Sequence, residues 1–575
     1  MTGEVDRTAR WRRGFLTLVC AFAVAAALVV YTRIKWIAPS EALSPRRWDK
    51  VWQLVLLTPA VVATALGISL WIRADVGHSL LRLSQWFTGR RLVLIGFSLL
   101  TFTAYVPLGH TPKSKDEAQY VFQGRLLMSG RLWAPAPPCP AAFELRGLRV
   151  TGDRWVPAYD PGHSLLIGLA DRLGLAWLVG PILGAVALCL LGVLGTDRYG
   201  PVMARGTLAL GVLSPLFILL AASFSYHVTS LCLTTMALIA TGRRPRGIAW
   251  DYAVGVSLGA LVLVRPLALA ILLLPLAYLE LATRNRPWRE WLKSLGRTAA
   301  ALTPFLVLYL LYNRTVTGNP FISGRQFVYP TSLFGFGPQP SHAETYGPLV
   351  HTPLKGLLNV MLQFSTLSTG LFGWPLLSLV PAAVGFLCLR KGPWERAFVL
   401  MVGATAAILF FSWYSAVEHG PRHYLDAWPG LMLLSAAGLR ESHRWVRRHR
   451  GIRGSNTALL SIAGLFLLSW VTYLPVRLGD VTGPLLGVDP VIREVSSVAA
   501  RAPAVVFMDY PDDPGDYYCS GFIQNDPFLR APVLFARHRS LDEDLACMAH
   551  FPGRNPYLLR YNPSTRSATI EALAQ

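Results

Sequence analysis

The residues with the most chemical potential stand together at Ser114-Lys115-Asp116-Glu117, just after an apolar run. Two adjacent carboxylates can supply a general base and a substrate contact. The ordinary alternative is a helix N-terminus, where acids are favoured in the first turn. The stretch that follows, Ala118 to Leu127, has helical spacing. Cations come later in the chain. Arg265 and Arg422 lie in short turns between apolar runs, and Lys355 and His351 precede another. His419, His423 and Tyr424 flank Arg422, while Asp160 and His163 share the stretch Tyr159-Asp160-Pro161-Gly162-His163. A carboxylate of this kind could serve as a general base, and the cations could offset negative charge on a bound or departing group. An arginine within a bilayer costs about 2.5–3.5 kcal/mol on insertion scales, so it has a partner, a task, or a path to the interface.

The elements that must position these groups are membrane spans. Of 575 residues, 53% are hydrophobic and only 15% charged, with a mean hydropathy of +0.41. Soluble domains carry about 25% charged residues. Many stretches of 15 to 22 residues lack Asp, Glu, Lys and Arg, enough to cross a hydrocarbon core of about 30 Å. A soluble enzyme, a fibre and a disordered chain are excluded. The pattern predicts thirteen crossings, near 14–31, 51–72, 92–108, 174–195, 203–221, 225–241, 250–264, 266–283, 298–312, 357–389, 397–415, 423–439 and 455–475. The expected fold is thus an all-α polytopic membrane protein with a small C-terminal α/β domain outside the membrane.

The net charge of +22 is read as loop charge on a membrane protein, with no nucleic-acid partner. Arg243-Arg244-Pro245-Arg246, Arg284 to Arg297, Arg390-Lys391 and Arg440 to Arg453 fall on alternate loops. The positive-inside rule makes these cytoplasmic, with the N-terminus beside them. Loop 32–50 is the exception, placed outside with five basic residues. Arg7 to Arg13 precede the first span without a small-residue cleavage site, which indicates an uncleaved anchor. Arg265-Pro266 divides 250–283 into two short helices, since one 33-residue helix would be about 50 Å long. Gly370, Gly373 and Pro375 predict a broken helix within 357–389.

Three regions then lie outside: 109–173, 313–356 and the tail from 476. In the tail, Ala504 to Met508 and Val533 to Ala536 read as strands, and 489–500 and 541–550 as helices. Cys139, Cys519 and Cys547 are the outer cysteines. The last two are either disulfide-bonded or free.

The acidic pair opening the first outer loop resembles the motif of the GT-C glycosyltransferases that use polyprenyl-phosphate sugars, relatives of protein O-mannosyltransferases and of the aminoarabinose transferase of lipid A. Other similar stretches follow in order: Tyr159 to His163, Ser225-Tyr226-His227, Arg265-Pro266, Asn313 with Thr317-Gly318-Asn319-Pro320, Gly335-Phe336-Gly337, Phe372 to Pro375 and Gly420 to Tyr424. The resemblance implies a two-helix extension over 1–91, a GT-C-like catalytic module over 92–475 and an outer domain over 476–575. It implies Asp116 as catalytic base with Glu117 second, and substrate contacts from Arg265, Arg422, His423, Tyr424, Lys355, Asp160, His163 and Asn313. The implied activity is inverting transfer of a monosaccharide from a polyprenyl phosphate to an acceptor hydroxyl (lipid, glycan or protein) at the outer face of the plasma membrane, with no metal or other cofactor. Aminoarabinose transferases carry Lys-Pro-Pro late in this loop. Here the stretch reads Asp160-Pro161-Gly162, so that phosphate contact does not carry over. A lipid-linked oligosaccharide ligase or polymerase and a non-enzymatic lipid or sugar transporter are the competing readings.

Overall fold

The computed structural model describes residues 61–68, 86–283, 287–330, 334–339, 350–389, 392–414, 420–482, 503–509, 518–562 and 567–573. The expected span 14–31, most of 51–72, loop 32–50, His419 and the helical pattern at 489–500 lie outside these residues.

Helix α1 (Gly89–Tyr105) leads through a turn into α2 (Lys115–Met128). A small antiparallel sheet follows, β1 (Ala134–Pro135), β2 (Leu148–Thr151) and β3 (Arg154–Pro157), in the order β1-β3-β2. Next come α3 (Pro161–Asp171) and α4 (Val179–Tyr199). The run 203–221 is a bent pair, α5 (Pro201–Val212) and α6 (Pro215–Ala221), at 67°. Pro215 opens α6 at the break, where its missing N–H costs nothing. Then follow α7 (His227–Arg243), α8 (Ala249–Val264) and α9 (Pro266–Ala282), and Arg265-Pro266 separates the last two as expected. α10 (Trp288–Thr317) ends at Gly318, which adopts a left-handed conformation.

The second outer loop contributes α11 (Gly324–Val328) and a two-stranded ribbon, β4 (Gly337–Pro338) with β5 (Val350–His351). The expected break within 357–389 is present, between α12 (Pro353–Gly370) and α13 (Val380–Cys388). α14 (Pro393–Phe411) precedes the long α15 (Trp428–Leu468), which is interrupted at Gly451 (φ 64°, ψ −160°). Without that interruption the helical stretch Arg422–Thr482 would run to about 90 Å. His443 Nε2 meets Ser455 Oγ at 2.7 Å, so the two arms lie together.

By length and composition, four helical stretches among the described residues can cross a bilayer: Ala176–Tyr199, Trp288–Thr317, Pro393–Phe411 and Arg422–Thr482. The bent pair makes a fifth if counted as one span, and α8 and α9 are shorter apolar helices. Arg guanidinium groups lie over indole rings at Arg91–Trp86, Arg198–Trp394, Arg243–Trp250 and Arg289–Trp288. These four pairs sit at the helix ends that the charge pattern assigns to the cytoplasm, where interfacial aromatic and basic residues gather.

Two glycines set the geometry that matters most for the site. Where α2 crosses α3, a Cβ on Gly124 would come within 2.7 Å of the Ser164 carbonyl oxygen, and one on Gly168 within 2.4 Å of the Gly124 oxygen. Backbone therefore rests on backbone, and the N-termini of both helices are fixed relative to each other.

The tail forms a four-stranded sheet. β6 (Ala504–Asp509) pairs in parallel with β7 (Val533–Arg537) and β8 (Asn555–Asn562), and β9 (Ser567–Ala572) pairs antiparallel with β8. Its apolar core is continuous with the first outer loop: Phe122, Phe143 and Trp155 pack with Phe507, Phe522 and Phe535. A disulfide joins Cys139 to Cys547, with Cα atoms 5.6 Å apart. This corrects the sequence expectation, since Cys547 is bonded to Cys139 and the buried Cys519 is in no disulfide. The tail sheet seats on the first outer loop, so the partner of Cys547 comes from that loop and not from the tail. Arg125 adds a second tie, donating to the Ile523 and Asn525 carbonyls and to Asp171.

Candidate active site

Ser114 caps α2 by accepting from the Glu117 N–H, which fixes the first turn that carries both acids. Consecutive helical residues diverge by about 100°, and the two carboxylates have different surroundings. Glu117 turns inward. It is 8% exposed, accepts from the Lys113 N–H at 2.7 Å and is hydrogen-bonded to Ser223. Burial raises its carboxyl to about 7. Asp116 turns outward, with 36% of its side chain exposed. Its Oδ2 lies 3.8 Å from Arg422 Nη2, an ion pair beyond hydrogen-bond length, and Tyr159 is hydrogen-bonded to it.

Asp160 stands at the N-cap of α3, half-buried, hydrogen-bonded to Tyr309 and in the field of Arg325. Burial raises it to about 7 as well. His163, one turn into α3, is enclosed. Its Nδ1 meets Thr229 Oγ1 at 2.9 Å and its Nε2 meets the Phe224 carbonyl at 2.8 Å, and burial lowers it to about 4. With both ring nitrogens occupied, His163 locks α3 to α7 and offers nothing to a substrate. Asn313 is likewise structural, donating to the Pro320 carbonyl at 3.2 Å in the turn beyond α10.

The sequence places Arg265 and Arg422 in one role, and the structure separates them. Arg265 is 3% exposed and paired through Nη1 with Asp426 Oδ2, itself 1% exposed. Asp426 also accepts from the Ser230 hydroxyl at 2.6 Å and from Thr234 at 3.5 Å. Arg265 Nη2 donates to His423 Nδ1 at 2.9 Å, and its guanidinium lies over the Tyr226 ring. The charge of Arg265 is therefore compensated inside the bundle. Arg422, 16% exposed, is the cation that pairs with Asp116. Tyr424 is fully buried in the transmembrane core, because the 3-10 turn Arg422–Ala427 aims it inward. Lys355 is exposed in the first turn of α12, beside His351, whose Nε2 is bonded to the Phe410 carbonyl.

Two residues at this site escape sequence reasoning. Arg325, at the start of α11, shares the field of Asp116, Tyr159 and Tyr226. Asp426 has a weak signal, an acid four positions after Arg422 at the head of an apolar run. Nothing in the sequence marks Arg325. The assembled site has Asp116 paired with Arg422 and in the field of Arg325, with Arg265 tied to both Asp426 and His423.

No protein-family model and no curated protein matches the chain. Solved structures do. ArnT from Cupriavidus metallidurans bound to undecaprenyl phosphate is similar at 12% identity over 87% of this chain and 98% of that one, with a TM-score of 0.49. Its apo state gives 12% identity over 79% and 93%, at 0.46. The archaeal oligosaccharyltransferase AglB from Archaeoglobus fulgidus, in complex with an inhibitory peptide and a dolichol-phosphate, gives 11% over 82% and 69%, at 0.46. At these values the chemistry has to be read from the chain's own side chains.

Proposed function

We propose that this chain is an integral-membrane inverting glycosyltransferase that moves a monosaccharide from a polyprenyl phosphate to an acceptor hydroxyl on the outer face of the membrane. The observation that supports it is the pairing of an outward-facing Asp116 with Arg422, while Glu117 turns into the protein. In the proposed step the acceptor oxygen attacks the anomeric carbon and its proton passes to Asp116. The bond from that carbon to the phosphate oxygen breaks, and the electron pair leaves with the phosphate. Arg422 and Arg325 offset the charge that arrives there. In this reading Asp116 acts as base and forms no bond to the sugar, so the transfer is a single displacement that inverts the anomeric centre. Asp160, backed by Tyr309, is placed to accept from a sugar hydroxyl.

The test is transfer of label from radiolabelled polyprenyl-phosphate mannose to cell envelope by the purified protein in liposomes. Asp116→Asn should lower turnover by about 10²–10⁴-fold, the usual worth of general-base assistance, and keep binding to undecaprenyl phosphate. Wild-type transfer by Asp116→Asn would remove the base and with it the proposal.

A further inference from the structure

The buried charges around Arg265 form a chain with a defined direction. Asp426, held by Ser230 and Thr234, pairs with Arg265, and Arg265 donates to Nδ1 of His423. A guanidinium has only donors, so the nitrogen it meets must carry a lone pair. The imidazole proton then belongs on Nε2, and a doubly protonated ring does not fit this contact. Asp426 in turn compensates Arg265, which keeps the guanidinium in place within an apolar bundle. The His423 ring is half-buried, lies edge-on to His227 and shares its surroundings with Arg422 and Arg325.

We propose that Asp426 and Arg265 are positioning residues that hold His423 as a neutral Nε2–H donor, aimed at a phosphate oxygen beside Arg422 and Arg325. This rests on the glycosyltransferase reading for its ligand but not for its tautomer. Both arginines favour an anion at that spot, and the Nε2–H adds a directed hydrogen bond without adding a further charge. Arg265 therefore acts through His423, whereas Arg422 acts directly.

The test uses the full-length protein in nanodiscs with histidine ring nitrogens labelled in ¹⁵N. His423→Gln identifies the His423 signal among the 12 histidines. In the wild type that signal should report the Nε2–H tautomer, and it should move when undecaprenyl phosphate is added. Asp426→Asn should mix the tautomers, while Arg265→Lys, which keeps a donor, should preserve them. A purely structural role for Asp426 would leave the tautomer unchanged. An Nδ1–H or imidazolium signal in the wild type overturns the proposal outright.

Affinity for undecaprenyl phosphate gives the second readout. Gln places its N–H where Nε2 lies, and Asn places its own where Nδ1 lies. His423→Gln should bind within about threefold of wild type and His423→Asn about tenfold or more weaker, the loss expected for a hydrogen bond to a charged group. The reverse order overturns the aim of the donor. If wild-type protein binds no undecaprenyl phosphate, the donor reading falls together with the phosphate assignment, and the tautomer signal still decides the relay.

Discussion

Glu117 offers a perturbation whose size follows from the structure. Its carboxyl is raised from an ordinary 4.5 to about 7 because burial disfavours the charged form. Between those two values the folded protein holds a proton that the unfolded chain releases. Stability is therefore greatest below pH 4.5 with respect to this group, and it is lost as pH rises through 7. At 1.36 kcal/mol per unit, a shift of this size corresponds to roughly 3 kcal/mol. Glu117 is 8% exposed, so screening by water removes little of it. In a chain of this length that is on the order of 2–3 °C in the unfolding midpoint. Glu117→Gln retains an acceptor for the Lys113 N–H and abolishes the titration. The assay is thermal unfolding in detergent by tryptophan fluorescence at half-unit steps from pH 4.5 to 8. Wild type should lose stability across the window, and Glu117→Gln should be flatter by about that amount. Asp160, also raised to about 7, supplies a second slope that Asp160→Asn should remove separately. An unaltered slope in Glu117→Gln would mean that its carboxyl is already charged in the fold, and the inward placement would be wrong.

Arg422 and Arg265 should differ in kind. Arg422→Lys should fold normally and weaken undecaprenyl phosphate binding, since lysine offers a point charge in place of a fork. Arg265→Ala leaves Asp426 buried and unpaired and should cost about 3–5 kcal/mol of stability; equal stability of the two variants would refute this division. Cys139→Ser and Cys547→Ser should each change mobility on a non-reducing gel and Cys519→Ser should not, a pattern whose reversal would restore a Cys519–Cys547 bond. For topology, an alkaline-phosphatase fusion after residue 480 should be active and one after 245 silent, and the opposite result would move Asp116 to the cytoplasm.

Hydropathy is legible along the chain because each span is a local run. The break at Arg265-Pro266, the discontinuity within 357–389 and the helix opening at Asp116 all follow from short-range rules about proline, glycine and caps. Roles within the site are less legible. Asp116 and Glu117 are neighbours with the same chemistry, and only the helical rotation between them decides which one turns outward. Arg265 reads as a free cation because its partner is 161 residues away. His163 reads as a site residue because it borders Asp160, but Thr229 and Phe224 take both of its nitrogens. Arg325 sits in an unremarkable polar stretch, and only the folding of the second outer loop brings it to Asp116.

The bond between Cys139 and Cys547 constrains more than the seating of the tail. A covalent link between residues 408 positions apart requires both sulfurs on the same side of the bilayer. The number of complete crossings between them must therefore be even. Of the thirteen expected spans, three precede Cys139, and the ten that follow satisfy that parity. A miscounted span, such as reading 250–283 as one helix instead of two, would strand the thiols on opposite faces. A chain that skips an insertion step during synthesis meets the same fate. The oxidised protein is in this sense a molecular parity check, and the bond excludes every path with an odd number of errors between the two cysteines.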